Sequence, residues 1–233
     1  MPHFVATAFA FLALIAGSVS AEETASDISY VRIQTSLGNI DVALNAKKAP
    51  LTVENFLAYA KSGYYDRLIF HRVVHGTLIQ GGGLTKRLTR RASNDPIISE
   101  SNNGLKNVRG TIAMARFDDP DSATSQFYIN LKDNPSLDRT GEVYKKDAGY
   151  TVFGTVISGM PVADEIGNTP TGPASGEQFG GIALASDVPL DPVFILRIDP
   201  VAADDIQYDA QSPAPGDNAT FQPTTVPEAP QKP

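Results

Sequence analysis

The sequence of 233 residues contains no cysteine and little basic charge. The lack of cysteine rules out disulfide bonds and a lipid anchor on cysteine, and it is compatible with an oxidising compartment. The 19 lysines and arginines are outnumbered by 26 aspartates and glutamates, giving a formal net charge of −7 and a pI near 4.9. A chain of this kind lacks the clustered basic surface that a phosphate backbone requires, so we expect no nucleic-acid partner.

The apolar run at the start of the chain is too short to span a bilayer comfortably. It extends from Phe4 to Ala16, about 13 residues, which is the length of a signal-peptide core. Small residues follow at Val19 and Ala21, where a signal peptidase would cut, although no Lys or Arg precedes the run. We predict a signal peptide over 1–21 and a short linker over 22–27. The mature protein would then be periplasmic, without stable membrane insertion; a membrane anchor is the alternative.

The rest of the chain indicates one domain and a tail. With 42% hydrophobic and 19% charged residues it can bury one substantial core, and single all-β domains often reach this size. From about Val201 onward, prolines alternate with Ala, Thr, Asp and Gln, and the few apolar residues show no period. This composition predicts a folded domain over 28–200 and a disordered Pro-rich acidic tail over 201–233.

Short strand-like segments separated by Gly, Asn, Asp and Pro dominate the domain. In one of them Ile40, Val42 and Leu44 alternate on one face. The segments are Tyr30–Thr35, Asn39–Leu44, Leu68–Val74, Thr111–Ala115, Phe127–Leu131, Tyr150–Ile157 and Val193–Ile198. This spacing, with few helices between the segments, favours an all-β barrel or sandwich over βαβ units.

Two helices are also predicted. After Pro50, which suits a first helical turn, the apolar residues Val53, Phe56, Leu57 and Ala60 recur at helical spacing until Gly63. Their stripe is expected to plug an open end of a barrel. A second, shorter helix is predicted over Pro161–Ile166.

Two blocks of sequence concentrate polar groups beside apolar strand residues. The first, Phe70–Gly83, sets Arg72 inside an apolar strand, with Gln80 and a predicted glycine turn, Gly81–Gly83, just beyond. The second joins Gly110–Arg116 to Ser125–Asn130 and supplies further polar side chains and an aromatic. The glycines lack the Gly-Lys-Ser/Thr ending of a phosphate loop. One arginine in a strand is usually only solvent-facing, so it is the combination that indicates a site.

The sequence gives little support for a metal site or for a nucleophilic catalytic residue. His71 and His75 lie on one predicted strand, where their ring ends would be roughly 13 Å apart, too far to share an ion. The acidic stretch Asp118–Ser122 is interpreted as a solvated turn, and the basic Lys86–Arg91 as a solvated loop. Neither a Ser/His/Asp nor a Cys/His set can be assembled. We therefore expect no metal and no cofactor.

Together the two polar blocks resemble the active face of the cyclophilins, which are peptidyl-prolyl cis/trans isomerases, and the resemblance covers about Ile28 to Pro200. It implies an all-β fold, a closed eight-stranded antiparallel barrel capped by two helices. It also implies a monomeric isomerase acting on X-Pro bonds in unfolded or partly folded exported proteins, with Pro-containing client segments as partners. A non-catalytic Pro-peptide-binding chaperone or scaffold on the same fold is the alternative.

The resemblance also implies roles for individual residues. Arg72 is the expected catalytic residue, because a planar, always-charged guanidinium can donate toward the prolyl nitrogen as its lone pair localises. Gln80 matches a catalytic-site glutamine that binds the substrate backbone and steadies the arginine. The expected substrate-binding residues are Phe70, His71, Thr77, Leu78, Ala115, Arg116, Gln126, Tyr128, Leu137 and Tyr150.

Three positions depart from the family pattern. Thr77 stands where the family usually has Phe at the floor of the proline pocket, and His75 replaces the usual Pro. Ser136 stands where Trp is found in members that bind cyclosporin tightly, so we expect weak cyclosporin binding. Residues Arg139–Ala148 look like a loop insertion. Thr77 is the departure that favours the binding-module alternative.

Overall fold

The structure, a computed structural model, describes residues 27–141, 147–173 and 187–206. The predicted signal peptide, residues 22–26 of the predicted linker and residues 207–233 of the predicted tail lie outside this part of the chain. No helix in the described ranges is long and apolar enough to cross a membrane. The elements are β1 Ile28–Thr35, β2 Gly38–Asn45, α1 Pro50–Lys61, β3 Leu68–Val74, β4 Leu78–Thr85, β5 Thr111–Met114, β6 Phe127–Asn130, β7 Val152–Ser158, α2 Met160–Gly167, β8 Thr171–Gly172, β9 Val188–Pro189 and β10 Val193–Val201.

Eight of these strands close into a barrel in the order β1-β10-β3-β4-β6-β5-β7-β2. Neighbouring strands run antiparallel throughout. β8 and β9 form a separate two-stranded sheet. The prediction of a closed eight-stranded antiparallel barrel with two helices is confirmed.

Helix α1 inserts an aromatic side chain into the barrel core. Phe56 is fully buried, and its ring centroid lies 5.5 Å from that of Phe127 and 5.2 Å from those of Tyr65 and Phe153. Val53 and Ala60 are buried with it, as their helical spacing predicted, whereas Leu57 is only partly buried.

The N-terminus of α1 is capped by a distant residue. The Glu100 carboxylate accepts hydrogen bonds from the backbone N–H groups of Leu51 and Thr52, at 3.0 and 2.8 Å. A negative charge satisfies these groups and is favoured by the helix dipole. The loop that follows β4 is thereby tied to the helix.

The glycines Gly81–Gly83 lie within β4, and the predicted turn there is wrong. The chain reverses earlier, around Gly76, whose φ is 61°. A Cβ on Gly81 would lie 3.1 Å from the Ile69 carbonyl oxygen, and one on Gly83 would lie 2.5 Å from Cγ of Gln126. The triplet is needed because neighbouring groups approach this strand closely, and it hides the alternation by which a strand is recognised in sequence.

The packed chain extends beyond the predicted domain end at residue 200. β10 continues to Val201, a 3₁₀ turn follows at Ala203–Asp205, and Ile206 is only 7% exposed. The Asp205 carbonyl accepts a hydrogen bond of 3.1 Å from Nη2 of Arg32 on β1. Residues 201–206 therefore belong to the fold rather than to the tail.

Two truncations test this boundary. Ending the chain after Ile206 should leave the melting temperature within about 1 °C of the full-length value. Ending it after Val201 should lower the melting temperature by about 3–6 °C, because burial of Ile206 and the hydrogen bond to Arg32 together contribute about 1.5 kcal/mol. Thermal unfolding followed by circular dichroism measures both. Equal melting temperatures for the two truncated chains would show that residues 202–206 add no stability.

Candidate active site

A cleft of about 380 Å³ opens beside β3, β4 and β6, outside the main core of the barrel. It brings together most of the predicted site residues. Those that line it are His71, Arg72, Leu78, Gln80, Ala115, Arg116, Gln126, Tyr128, Leu137 and Tyr150. It is also lined by residues that were not predicted, namely Leu84, Arg90, Phe117, Ser122 and Thr124.

Two predicted residues, Phe70 and Thr77, are not among those that line the cleft. Phe70 is fully buried in the barrel core, with its ring 6.1 Å from that of Phe127. The register between β3 and β4 shifts between Phe70 and Arg72, and this irregularity lets the consecutive residues His71 and Arg72 both face the cleft. Thr77 lies in the β3–β4 turn, where its hydroxyl donates to the His75 carbonyl at 3.3 Å. Its place at the proline pocket stays a prediction.

One half of the cleft is a row of polar side chains from β3, from β4 and from Gln126, the residue just before β6. Arg72 and Gln80 are cross-strand partners, and Nη1 of Arg72 lies 3.4 Å from Oε1 of Gln80. The Gln80 amide donates to Oε1 of Gln126 at 3.0 Å. The space left by Gly83 admits the Gln126 side chain. This chain of contacts holds the guanidinium against the wall of the cleft.

Asp187 holds the same guanidinium from another side. Its Oδ2 lies 3.5 Å from Nε of Arg72, and the two side chains are 35% and 41% exposed. The Asp187 carbonyl accepts a hydrogen bond of 2.7 Å from the backbone N–H of Val73, which fixes the aspartate beside β3. Sequence reasoning missed Asp187, because it lies more than a hundred residues from Arg72 in the chain.

The other half of the cleft is apolar. Leu78 and Tyr128 are buried there with Ala115, Leu137 and Tyr150 packed against them. The rings of Tyr128 and Tyr150 meet edge to face, with centroids 5.8 Å apart. These side chains form a hydrophobic cluster separate from the barrel core, in which Leu105, Ala113 and Val152 also take part.

Buried asparagines hold Tyr128 in place through hydrogen bonds that start at its hydroxyl group. The Tyr128 hydroxyl donates to Oδ1 of Asn107 at 2.6 Å, and the Asn130 amide donates to the same oxygen at 3.2 Å. Asn134 in turn donates to Oδ1 of Asn130 at 2.8 Å. Burial raises the pKa of Tyr128 well above its usual value, so the phenol stays protonated and keeps its donor role. In sequence Asn107 and Asn134 look like ordinary loop residues, and nothing links them to Tyr128.

His71 is a neutral side chain in this site. It is 2% exposed, and burial lowers its pKa to about 4. The charge of Arg72 also lowers this pKa, while hydrogen bonds from the imidazole to the Ile69 backbone and the Gln126 side chain raise it. Its Nδ1 has no hydrogen-bond partner among the described residues. A histidine held in this way carries no charge at neutral pH.

Arg116 forms the far wall of the cleft. Its Nε donates to the Gly149 carbonyl at 2.8 Å and Nη1 donates to the Phe117 carbonyl at 2.7 Å. The guanidinium carbon stacks 4.8 Å from the centroid of the Tyr150 ring. Arg116 therefore braces the apolar half while keeping a positive charge beside it.

Comparison with known proteins shows similarity over this same region. A family model described as cyclophilin type peptidyl-prolyl cis-trans isomerase/CLD matches residues 30–199. The chain is 46% identical over 169 residues to peptidyl-prolyl cis-trans isomerase A of Dickeya dadantii, covering 72% of this chain and 86% of that protein. It is 45% identical over 165 residues to peptidyl-prolyl cis-trans isomerase B of Escherichia coli, covering 71% and 95%.

A solved structure is similar over the same length. It is the crystal structure of a Cryptosporidium parvum cyclophilin type peptidyl-prolyl cis-trans isomerase in the presence of the dipeptide ala-pro. It aligns with a TM-score of 0.58 and 28% sequence identity, covering 74% of this chain and 99% of that chain.

Proposed function

The chain belongs to the cyclophilin-type peptidyl-prolyl cis-trans isomerases, and we propose that it uses the cleft at Arg72 to rotate X-Pro bonds in unfolded or partly folded exported proteins. One observation supports this site most strongly: the same cleft contains a guanidinium held by Gln80 and an apolar hollow formed around Tyr128.

The reaction requires conformational work and no covalent step. Rotation about the peptide bond faces a barrier of about 18–20 kcal/mol and takes tens to hundreds of seconds for X-Pro bonds without a catalyst. A catalyst must hold the proline and stabilise the twisted bond in preference to both planar forms. Since no covalent bond is made or broken, catalysis in this cleft would need neither a cofactor nor a metal.

The apolar half of the cleft would receive the proline ring. Leu78, Tyr128 and Leu137 present hydrophobic surface there, and Tyr128 is fixed by its hydrogen bond to Asn107. The related Cryptosporidium structure was determined in the presence of an Ala-Pro dipeptide, which supports a Pro-containing segment as the ligand of this cleft.

The polar half would act on the twisting bond. As resonance is lost, the lone pair localises on the prolyl nitrogen, and Arg72 can donate a hydrogen bond to it there. Gln80 and Asp187 restrict the guanidinium, so little reorganisation is needed when the bond twists. Ala115, Arg116 and Gln126 would bind the residues before the proline.

Family membership weighs against the non-catalytic alternative, which depends on Thr77 weakening the proline pocket. Family membership makes the chain an isomerase, and any chaperone-like binding of clients would occur in addition to catalysis.

The exported clients are proposed on the basis of the N-terminal sequence. The run Phe4–Ala16 and the small residues Val19 and Ala21 support removal of a signal peptide and release into the periplasm.

Export predicts a mature N-terminus at Glu22. Protein recovered from the periplasm of its native host should give that residue on N-terminal sequencing. A Leu12→Arg variant, which interrupts the apolar run, should instead accumulate as uncleaved precursor, because the signal core is broken. Recovery of the wild-type chain with Met1 or Pro2 at its N-terminus would contradict export.

A further inference from the structure

The cleft carries positive charge although the chain as a whole is acidic. The formal net charge is −7, yet Arg72, Arg90 and Arg116 all line the cleft. None of the described residues that line it is an aspartate or a glutamate. Asp187 lies 3.5 Å from Nε of Arg72 and offsets part of that one charge. The cleft therefore presents an excess of cations to whatever enters it.

Arg90 is the most solvent-exposed of the three arginines that line the cleft. It is exposed, and its guanidinium carbon lies 5.1 Å from the centroid of the Phe117 ring, which is itself 53% exposed. In the described part of the chain Arg90 forms no salt bridge. Its charge is therefore available to a ligand that lies along this wall.

The loop that carries Arg90 is held in place. Leu84 and Arg90 form a β-bridge, and the backbone N–H of Arg91 donates to the Gly83 carbonyl at 3.0 Å. The Arg91 guanidinium donates to the backbone carbonyls of Tyr64 and Asp66. Arg91 thus has a structural role, and it fixes the position from which its neighbour Arg90 faces the cleft.

Positive charge continues on the far side of this loop. Lys86 and Arg87 are exposed at its tip. A second hollow of about 290 Å³ lies beyond it, lined in part by Arg67, Lys86 and Arg91. The neighbouring Asp66 is also exposed, but cations outnumber it here. The exposed loop over Lys86–Arg91 thus adds positive charge beside the cleft.

We propose that this basic surface selects client segments with an acidic side chain two or three residues before the proline. The inference rests on the proposed function, in which Ala115, Arg116 and Gln126 bind the residues that precede the proline. Phe117 follows Arg116 directly in the chain and lines the same cleft, with the Arg90 guanidinium stacked on its ring. A carboxylate on the bound segment would meet Arg90, whereas a lysine would be repelled. An exposed pair of this kind changes a specificity constant by about two- to fivefold.

Peptides that differ only in charge test the proposal. In the series X-Ala-Pro-Phe, X is Glu, Gln or Lys, and kcat/KM is measured by exchange NMR on the intact protein. The Glu peptide should exceed the Lys peptide by about tenfold at low salt, since attraction and repulsion both contribute. The ratio should approach one in about 0.5 M NaCl, where the Debye length is only a few ångströms.

A matched pair of variants locates the effect. Arg90→Gln should reduce the Glu-to-Lys ratio about threefold. Lys48→Gln removes the same charge from the exposed link between β2 and α1, across the barrel from β4 and β6, and should leave the ratio unchanged. Equal rates for the Glu and Lys peptides, or a preference that survives both Arg90→Gln and high salt, would overturn the inference while leaving the isomerase intact. Failure to accelerate the neutral Gln peptide would instead contradict the proposed function.

Discussion

Replacing Arg72 with alanine is expected to slow catalysed isomerisation of an Ala-Ala-Pro-Phe peptide at least about 100-fold, or roughly 2.7 kcal/mol. The loss arises because the donor to the prolyl nitrogen is needed only while the bond is twisted. Peptide affinity should change much less, since Leu78, Tyr128 and Leu137 still hold the proline. A protease-coupled assay gives the rate, and calorimetric titration gives the affinity.

Arg72→Lys is the matched variant for this experiment. It keeps the charge but replaces a planar, multi-donor group with a compact ammonium, so we expect it to recover only a small part of the rate. Full recovery would assign the effect to charge alone. Equal losses of rate and affinity in Arg72→Ala would assign Arg72 to ground-state binding. The Arg72 side chain is 41% exposed, so both variants should remain folded.

Acidification from pH 7 to pH 4 is expected to remove about 3 kcal/mol of stability through His71 alone. The pKa of His71 in the folded protein is about 4, below its usual value of 6.5. The unfolded chain therefore binds the proton more readily than the native protein between these values. The contribution is fully present above about pH 6.5 and is lost as the pH falls toward 4.

Urea unfolding at pH 7 and pH 4 measures this effect. The difference in unfolding free energy between the two pH values should shrink by about 3 kcal/mol in His71→Gln, which has no proton to gain. His71→Asn should behave in the same way. Agreement between the two variants would assign the effect to the lost protonation of His71, since the two amides differ in size and pack differently. If both variants keep the wild-type pH dependence, protonation of His71 is not its source.

Local patterns in the sequence were sufficient to predict most of the barrel. Alternation identified strands such as β2, and the apolar spacing after Pro50 identified α1. β4 was missed because Gly81–Gly83 serve the close approach of Ile69 and Gln126, which are distant in sequence. The predicted domain end at residue 200 is too early because Ile206, which packs beyond β10, is one apolar residue with no period around it.

The site was predictable where side chains follow a motif and unpredictable where contacts cross the fold. Resemblance placed Arg72, Gln80 and Gln126 in one cleft, but it gave no signal for Asp187 or Asn107. These two act through contacts with residues that are distant in the sequence. Phe70 lies in the core because the β3–β4 register shifts beside it. A strand pattern of strictly alternating residues does not predict such a shift.

The claim that the active site lies in the cleft at Arg72 is tested most directly by NMR of the ¹⁵N-labelled protein during titration with an Ala-Ala-Pro-Phe peptide. We predict that amide signals around Arg72, Gln80, Gln126 and Leu137 shift and show exchange between cis- and trans-bound forms. Signals from the separate apolar hollow beside α1, at Leu51, Ile97 and Ile98, should stay unchanged. Accelerated peptide exchange with unchanged signals around Arg72, or with shifts centred on the α1 hollow, would show that the active site is not the cleft at Arg72.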